Sequence, residues 1–125
     1  MKEIIFTPNA PAPIGPYSQA VRVGNTCYLS GQIAINPESG ELLTGDLDTE
    51  THQVMKNIKE LLSACGLGFE HVIKTSIFLK SMGDFAQVNS IYGSYFQKDF
   101  PARETVEVAG LPKGVNVEIS MIAVG

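Results

Sequence analysis

Basic residues are scarce. Nine Lys plus Arg stand against thirteen Asp plus Glu, for a net charge of −4, and no stripe gathers the cations. A protein that tracks a phosphate backbone normally carries such a stripe, so nucleic-acid binding is not expected. Long apolar runs are also missing. The first thirty residues hold neither a signal-type apolar region nor a hydrophobic span long enough to cross a bilayer, so a cytoplasmic chain without membrane contact is expected. Cysteine is limited to Cys27 and Cys65, without CxxC spacing or an adjoining His pair. Buried free thiols in a reducing compartment are the expectation, and no metal site is implied. The glycines form neither GxxxxGKS/T nor GxGxxG, so no nucleotide cofactor is indicated. His52 and His71 have no serine and acid arranged with them and read as surface or capping residues.

What is present suffices for one core. The chain has 125 residues, 44% apolar and 18% charged, with seven prolines spread rather than clustered into low complexity. Residues 1–125 therefore read as a single folded domain.

A short apolar run at Glu3 to Thr7 precedes Pro8, Pro11, Pro13 and Pro16, which hold an extended loop and cannot continue a sheet ladder. Gly24-Asn25 between Val21-Arg22-Val23 and Thr26 to Ser30 signals a tight hairpin. A second, looser hairpin is expected from Gln32 to Ile35 and Glu41 to Leu43. Thr49 to Cys65 carries apolar residues at helical spacing, with Asp48 as N-cap and Gly66 beyond the end. His71 to Lys80 alternates as a strand, placing Ile73, Thr75, Ile77 and Leu79 on one face. Asp84 opens a second helix whose stripe runs through Phe85, Val88, Tyr92, Tyr95 and Phe96. Val106 to Ala109 and Val115 to Val124 read as the last two strands. Two helices cover only one side of such a sheet. The other side, with Tyr28, Phe78, Ile122 and Val124, predicts burial against another copy of the chain.

Only two arginines occur, Arg22 and Arg103. Arg22 sits mid-hairpin and reads as a solvated outer-face residue. Arg103 follows Phe100-Pro101-Ala102, where proline stiffens the start of a strand. A planar fork on a rigid base suits bidentate capture of a carboxylate. An ion pair with a nearby acid such as Glu107 is the competing account. Glu118 is a carboxylate within an apolar strand, so it either pairs with a cation or has its pKa raised enough to handle protons. Ser30-Gly31 at a strand end offers a hydroxyl and an approachable N–H.

Taken together, Gly15-Pro16-Tyr17-Ser18-Gln19-Ala20, Tyr28-Leu29-Ser30-Gly31-Gln32, Asn89, Pro101-Ala102-Arg103 and Leu111-Pro112-Lys113 leading to Val117-Glu118-Ile119 resemble the RidA/YjgF family over nearly the whole chain. The resemblance implies an α+β, chorismate-mutase-like subunit in which a mixed sheet carries two helices on one face. It implies a homotrimer with ligand sites in the clefts between subunits and no metal or organic cofactor. The implied activity is that of a 2-iminobutanoate/2-iminopropanoate deaminase, which hydrolyses reactive 2-enamino and 2-imino acids to 2-oxo acids and ammonia as metabolite damage control. Arg103 would then clamp the substrate carboxylate, Glu118 would orient the attacking water, and Tyr17 would pack against the substrate and assist proton traffic. Ser30 and Gly31 would line the pocket and Asn89 would border it.

After Arg103 the family often has small or apolar residues, one of them frequently Cys, where this chain has Glu104 and Thr105. An extended backbone turns Glu104 away from Arg103 and puts Thr105 on the same side, within reach of a ligand. A Glu104 charge near an anionic substrate would weaken binding unless screened or offset by Lys113. A trimer that binds small carboxylates without turning them over is the second reading. An RNA-cleaving or translation-inhibiting protein is the third, disfavoured by the net charge.

Overall fold

The chain is described over all 125 residues by a computed structural model. Strands β1 (Glu3–Ile5), β2 (Ala20–Val23) and β3 (Thr26–Leu29) form an antiparallel meander. Gly24 takes φ 60 at the first position of the β2–β3 turn, the geometry a two-residue hairpin favours. Helix α1 (Leu47–Ala64), strand β4 (Val72–Leu79), helix α2 (Phe85–Gly93), and strands β5 (Ala102–Glu107) and β6 (Val117–Val124) complete the fold. The sheet order is β1-β2-β3-β6-β4-β5, antiparallel throughout except for β4 and β5. Each helix is thus a crossover between two strands of the same direction, and β6 is inserted between β3 and β4. This is the mixed sheet with two helices on one face that the sequence implied.

Helix α1 supplies most of the core. Val54, Met55, Ile58, Leu61 and Leu62 are completely buried, each contributing roughly 1.5–3 kcal/mol relative to exposure. They pack on the sheet face formed by Cys27, Leu29, Ile77, Leu79, Val117, Ile119, Met121 and Ala123. The other sheet face lies open in the single chain. There Tyr28 opposes Ile122 and Phe78 opposes Glu118, with Tyr28 49% exposed.

Several boundaries depart from the pattern. Asp46, not Asp48, caps α1, because its extended backbone lets the carboxylate accept the Thr49 N–H at 2.8 Å and its hydroxyl at 2.9 Å. Asp48 instead accepts from Gln87 of α2. Helix α2 ends at Gly93, and tighter turns carry Tyr95 and Phe96 into an aromatic cluster with Phe69 and Tyr92. A register shift between Val72 and Lys74 turns Val72 inward and leaves Ile73 exposed. The looser second hairpin reduces to one bridge between Ile35 and Leu42. Strand β5 begins at Ala102 rather than Val106, because pairing with β4 recruits a polar stretch that has no apolar face of its own. Strand β6 begins two residues later than expected, at Val117.

Arg22 is not simply solvated. It donates to the Cys65 carbonyl at the end of α1, and hydrogen bonding to the Cys27 side chain holds its guanidinium above the ordinary pKa. Both cysteines are buried and free, and burial foremost pushes the Cys65 thiol up to about 12. No helix is long and apolar enough to cross a membrane.

Candidate active site

The carboxylate side of the site is built from the proline-rich loop and β6. Gln19 is buried, accepts the Thr7 N–H at 2.8 Å, and donates to the carbonyls of Thr7, Ala10 and Pro11. One side chain thereby fixes the loop that carries Tyr17. Beneath the loop lies a cavity of about 410 Å³ whose lining includes Tyr17, Ser30, Gly31, Lys113 and Glu118. Ser30 Oγ donates to the Ser18 carbonyl at 2.5 Å, which leaves its lone pairs as acceptors. The Gly31 N–H has no protein acceptor. A Cβ at position 31 would run into the Glu118 carboxyl, so any larger residue there must push that carboxyl aside.

Glu118 is half-buried and has no cation or hydrogen-bond donor in contact. Burial alone raises its pKa above the usual carboxylate range. The ion-pair account is therefore excluded for the single chain, and the carboxylate faces the cavity without a partner. Behind it, Glu50 of α1 is completely buried and accepts the Asn116 N–H and side-chain amide at 2.7 Å each, and the Val117 N–H at 3.3 Å. These contacts pin the start of β6 one residue before Glu118. Lys113 has φ 56 in the turn leading to β6 and lines the same cavity.

The cationic side is built from β5 and α2. Arg103 Nη1 donates to Asn89 Oδ1 at 2.6 Å, and its guanidinium lies 5.2 Å from the Tyr92 ring centroid and 5.6 Å from that of Phe85. Tyr92 is itself fixed by its hydroxyl, which donates to Thr75 at 2.9 Å. The guanidinium opens on a second cavity of about 470 Å³, lined by Asn89, Tyr92, Gly93, Phe100, Pro101 and Arg103. No carboxylate pairs with Arg103, and Glu107 instead accepts the Met82 N–H at 2.8 Å. Thr105 shares the Arg103 side of β5, as expected, and its Oγ1 is buried without a hydrogen-bond partner.

Glu104 points to the other face, where Ser76 donates to it at 2.5 Å and Lys74 Nζ lies 3.0 Å away. Those two contacts hold its pKa below the usual value. The counter-charge is thus Lys74 and not Lys113.

The two groups of residues do not meet within one chain. Arg103 pairs in register with Thr75, which faces the helices, whereas Glu118 pairs with Phe78, which faces away from them. Tyr17, Ser30, Gly31 and Glu118 are together in one cavity; Asn89 and Arg103 are together in another, with Thr105 on the same side of β5. Glu50 and Gln19 were missed as supports. For Glu50 a signal existed, since it stands four residues before Val54 and eight before Ile58, on the buried stripe of α1.

Comparison with known proteins places this arrangement in a family. Residues 7–125 match the family model described as Endoribonuclease L-PSP. A RutC family protein of Pyrococcus horikoshii is 52% identical over 123 residues, covering 98% of each chain. The mouse 2-iminobutanoate/2-iminopropanoate deaminase is 49% identical over 124 residues, covering 99% of this chain and 92% of that one. A solved Rid family protein of Yersinia pestis superposes with a TM-score of 0.97 at 48% identity, covering all of both chains. With the fold and sequence matching from end to end, the chain belongs to the RidA/YjgF family.

Proposed function

We propose that this chain is a 2-imino acid deaminase, acting as a homotrimer in which the Arg103 side of one copy closes over the Glu118 side of the next. One observation carries the reading: a single chain presents an unpaired, oriented cation and an unpaired, desolvated carboxylate on opposite faces of its sheet. Each is half of a site for a small anionic substrate, and rotation about a symmetry axis can bring unlike faces together. The half-apolar open face with Tyr28 and Ile122 supports such an assembly, as does the 49% identity to a named imine deaminase.

The chemistry follows from the parts. Arg103, aimed by Asn89, binds the substrate carboxylate through its free N–H groups. The Gly31 N–H and the Ser30 hydroxyl position the polar end of the substrate and Tyr17 packs over it, while Thr105, with its Oγ1 buried, lies beneath Arg103 rather than on the cavity wall. Glu118 orients a water against the imine carbon and accepts its proton as the C–O bond forms. Glu118 hands that proton to the imine nitrogen, giving the neutral carbinolamine, then takes the carbinol hydroxyl proton and passes it to the amino group as the C–N bond breaks, so both protons of the water leave with ammonia and the 2-oxo acid remains. An imine is already electrophilic, so positioning and a carboxylate that relays protons from oxygen to nitrogen suffice. A carboxylate-binding protein without turnover would gain nothing from a second negative charge beside its ligand, which weighs Glu118 toward catalysis.

The test is to generate 2-iminopropanoate or 2-iminobutanoate in situ and follow the 2-oxo acid. Release faster than the spontaneous rate is expected. A rate equal to the spontaneous one, with binding of small carboxylates retained, would replace the deaminase with the binding protein.

A further inference from the structure

We propose that Glu50 and Asn57 of α1 are positioning residues for the deamination, an inference that rests on the deaminase reading above: from the helix side of the sheet they set the gap between the Glu118 carboxyl and Gly31. The two lie two turns apart on α1, and both are buried. A polar group in such a place costs stability unless its hydrogen bonds are made. Asn57 donates to the Ile33 carbonyl at 3.1 Å and the Ile35 carbonyl at 2.9 Å, and accepts from Gln53 at 2.8 Å. Glu50 accepts from Asn116 and Val117 at the start of β6. One helix stripe therefore grips two segments, the one that follows Gly31 and the one that carries Glu118.

The sheet alone does not fix that gap. Ile119 exchanges two backbone bonds with Gln32, at 2.8 and 3.1 Å, but the ladder ends there. One step further the Ala34 carbonyl accepts from the Leu43 N–H, and the Val117 N–H goes to Glu50 instead. Pairing with β4 fixes the other edge of β6 but not its distance from Gly31. Val117 and Ile119 are completely buried on the helix side, so alternation sends Glu118 to the opposite face, where its carboxyl lies against Gly31. Misplacement of a reacting group by about 1 Å can cost about a hundredfold in rate. Reach, and not charge, is what this role asks of Glu50. A glutamine there can accept both backbone N–H groups through Oε1 and donate Nε2 to a flipped Asn116 amide. An aspartate keeps the charge and falls one methylene short.

The experiment compares Glu50→Asp and Glu50→Gln with the native chain on 2-iminopropanoate, supplied at graded rates from alanine by an L-amino-acid oxidase with catalase present, well below each protein's melting temperature. Glu50→Asp should lower kcat about tenfold or more with KM changed less than about twofold, and Glu50→Gln should keep kcat within about twofold of native. A lowered melting temperature for Glu50→Asp with native kcat would mean a structural role only and overturn the inference. A loss with Glu50→Gln at least as large as with Glu50→Asp would overturn it in favour of the carboxylate's charge, and a raised KM at constant kcat in favour of substrate binding. Asn57→Ser, too short to reach both carbonyls, reads the other segment and serves also where Glu50→Asp does not fold: kcat should fall severalfold at constant KM, and a native kcat would overturn the two-sided grip. No acceleration by the native chain would remove the deaminase reading and this inference together.

Discussion

The two cavities differ in how they hold their charge. Arg103 is clamped before any ligand arrives, with Asn89 bonded to one nitrogen and two aromatic rings beside its plane. Glu118 is held only through its backbone, by the Glu50 contacts at the start of β6, and its carboxyl is desolvated and unpartnered. A binding group gains from being rigid and charged at all pH values, as a guanidinium is. A proton-handling group gains from a raised pKa and freedom to follow its water. On the proposed reading this difference is that between capture and chemistry, and substitutions should separate the two.

The largest effect is expected at Arg103. Arg103→Ala removes a charged, bidentate contact and should lower kcat/KM about a thousandfold, chiefly through KM. Arg103→Lys should recover little, because an ammonium cannot reproduce the fork. Glu118→Gln should lower kcat about a hundredfold with KM little changed.

The same substitution carries a stability signature of definite sign. Burial raises the Glu118 pKa, so the fold favours the neutral carboxyl. That contribution is present at acid pH and is lost as pH rises through the raised value. At neutral pH the ionised group costs stability, and Glu118→Gln should leave the melting temperature unchanged or raise it by a few degrees. In the native protein, activity should fall as pH is lowered through that same raised value, where the base becomes protonated. Gly31→Ala comes next. The new methyl displaces the Glu118 carboxyl, so a loss of about tenfold in kcat is expected with the fold retained by circular dichroism. The smallest effect belongs to Glu104→Gln, because Lys74 already offsets that carboxylate's charge and Ser76 holds it on the face away from Arg103. Less than about a twofold change in KM is expected.

Much of this was legible in the sequence, for reasons that also mark its limit. Arg103 and Glu118 stand out by scarcity and by context: one of two arginines, on a proline-stiffened strand, and one acid among valines and isoleucines. Ser30-Gly31 was readable as a strand-end hydroxyl and N–H but not as part of a site, and Tyr17 and Asn89 were readable only through family likeness, since nothing in their local spacing marks them. Alternation within β5 correctly put Thr105 beside Arg103 and Glu104 opposite. Alternation could not relate the phase of β5 to that of β6, because that depends on sheet order, with β4 between them. Hence the opposite facing of Arg103 and Glu118 had to come from the fold. Gln19 and Glu50 escaped for a related reason. All but one of their partners, the Asn116 side-chain amide, are backbone groups, in the case of Glu50 66 and 67 residues away, and a side-chain pattern does not say which N–H will arrive.

The central claim is that the two charged groups act across a boundary between copies, and complementation measures this directly. Chains carrying Arg103→Ala and chains carrying Glu118→Gln, each inactive alone, would be dissociated, mixed in equal amounts and reassembled, with mixed assemblies verified by native mass. Random assembly gives each interface one chance in four of joining an intact Arg103 to an intact Glu118, so about a quarter of native activity should return. Verified mixed assemblies with no activity would mean that both groups must come from the same chain, which contradicts the account.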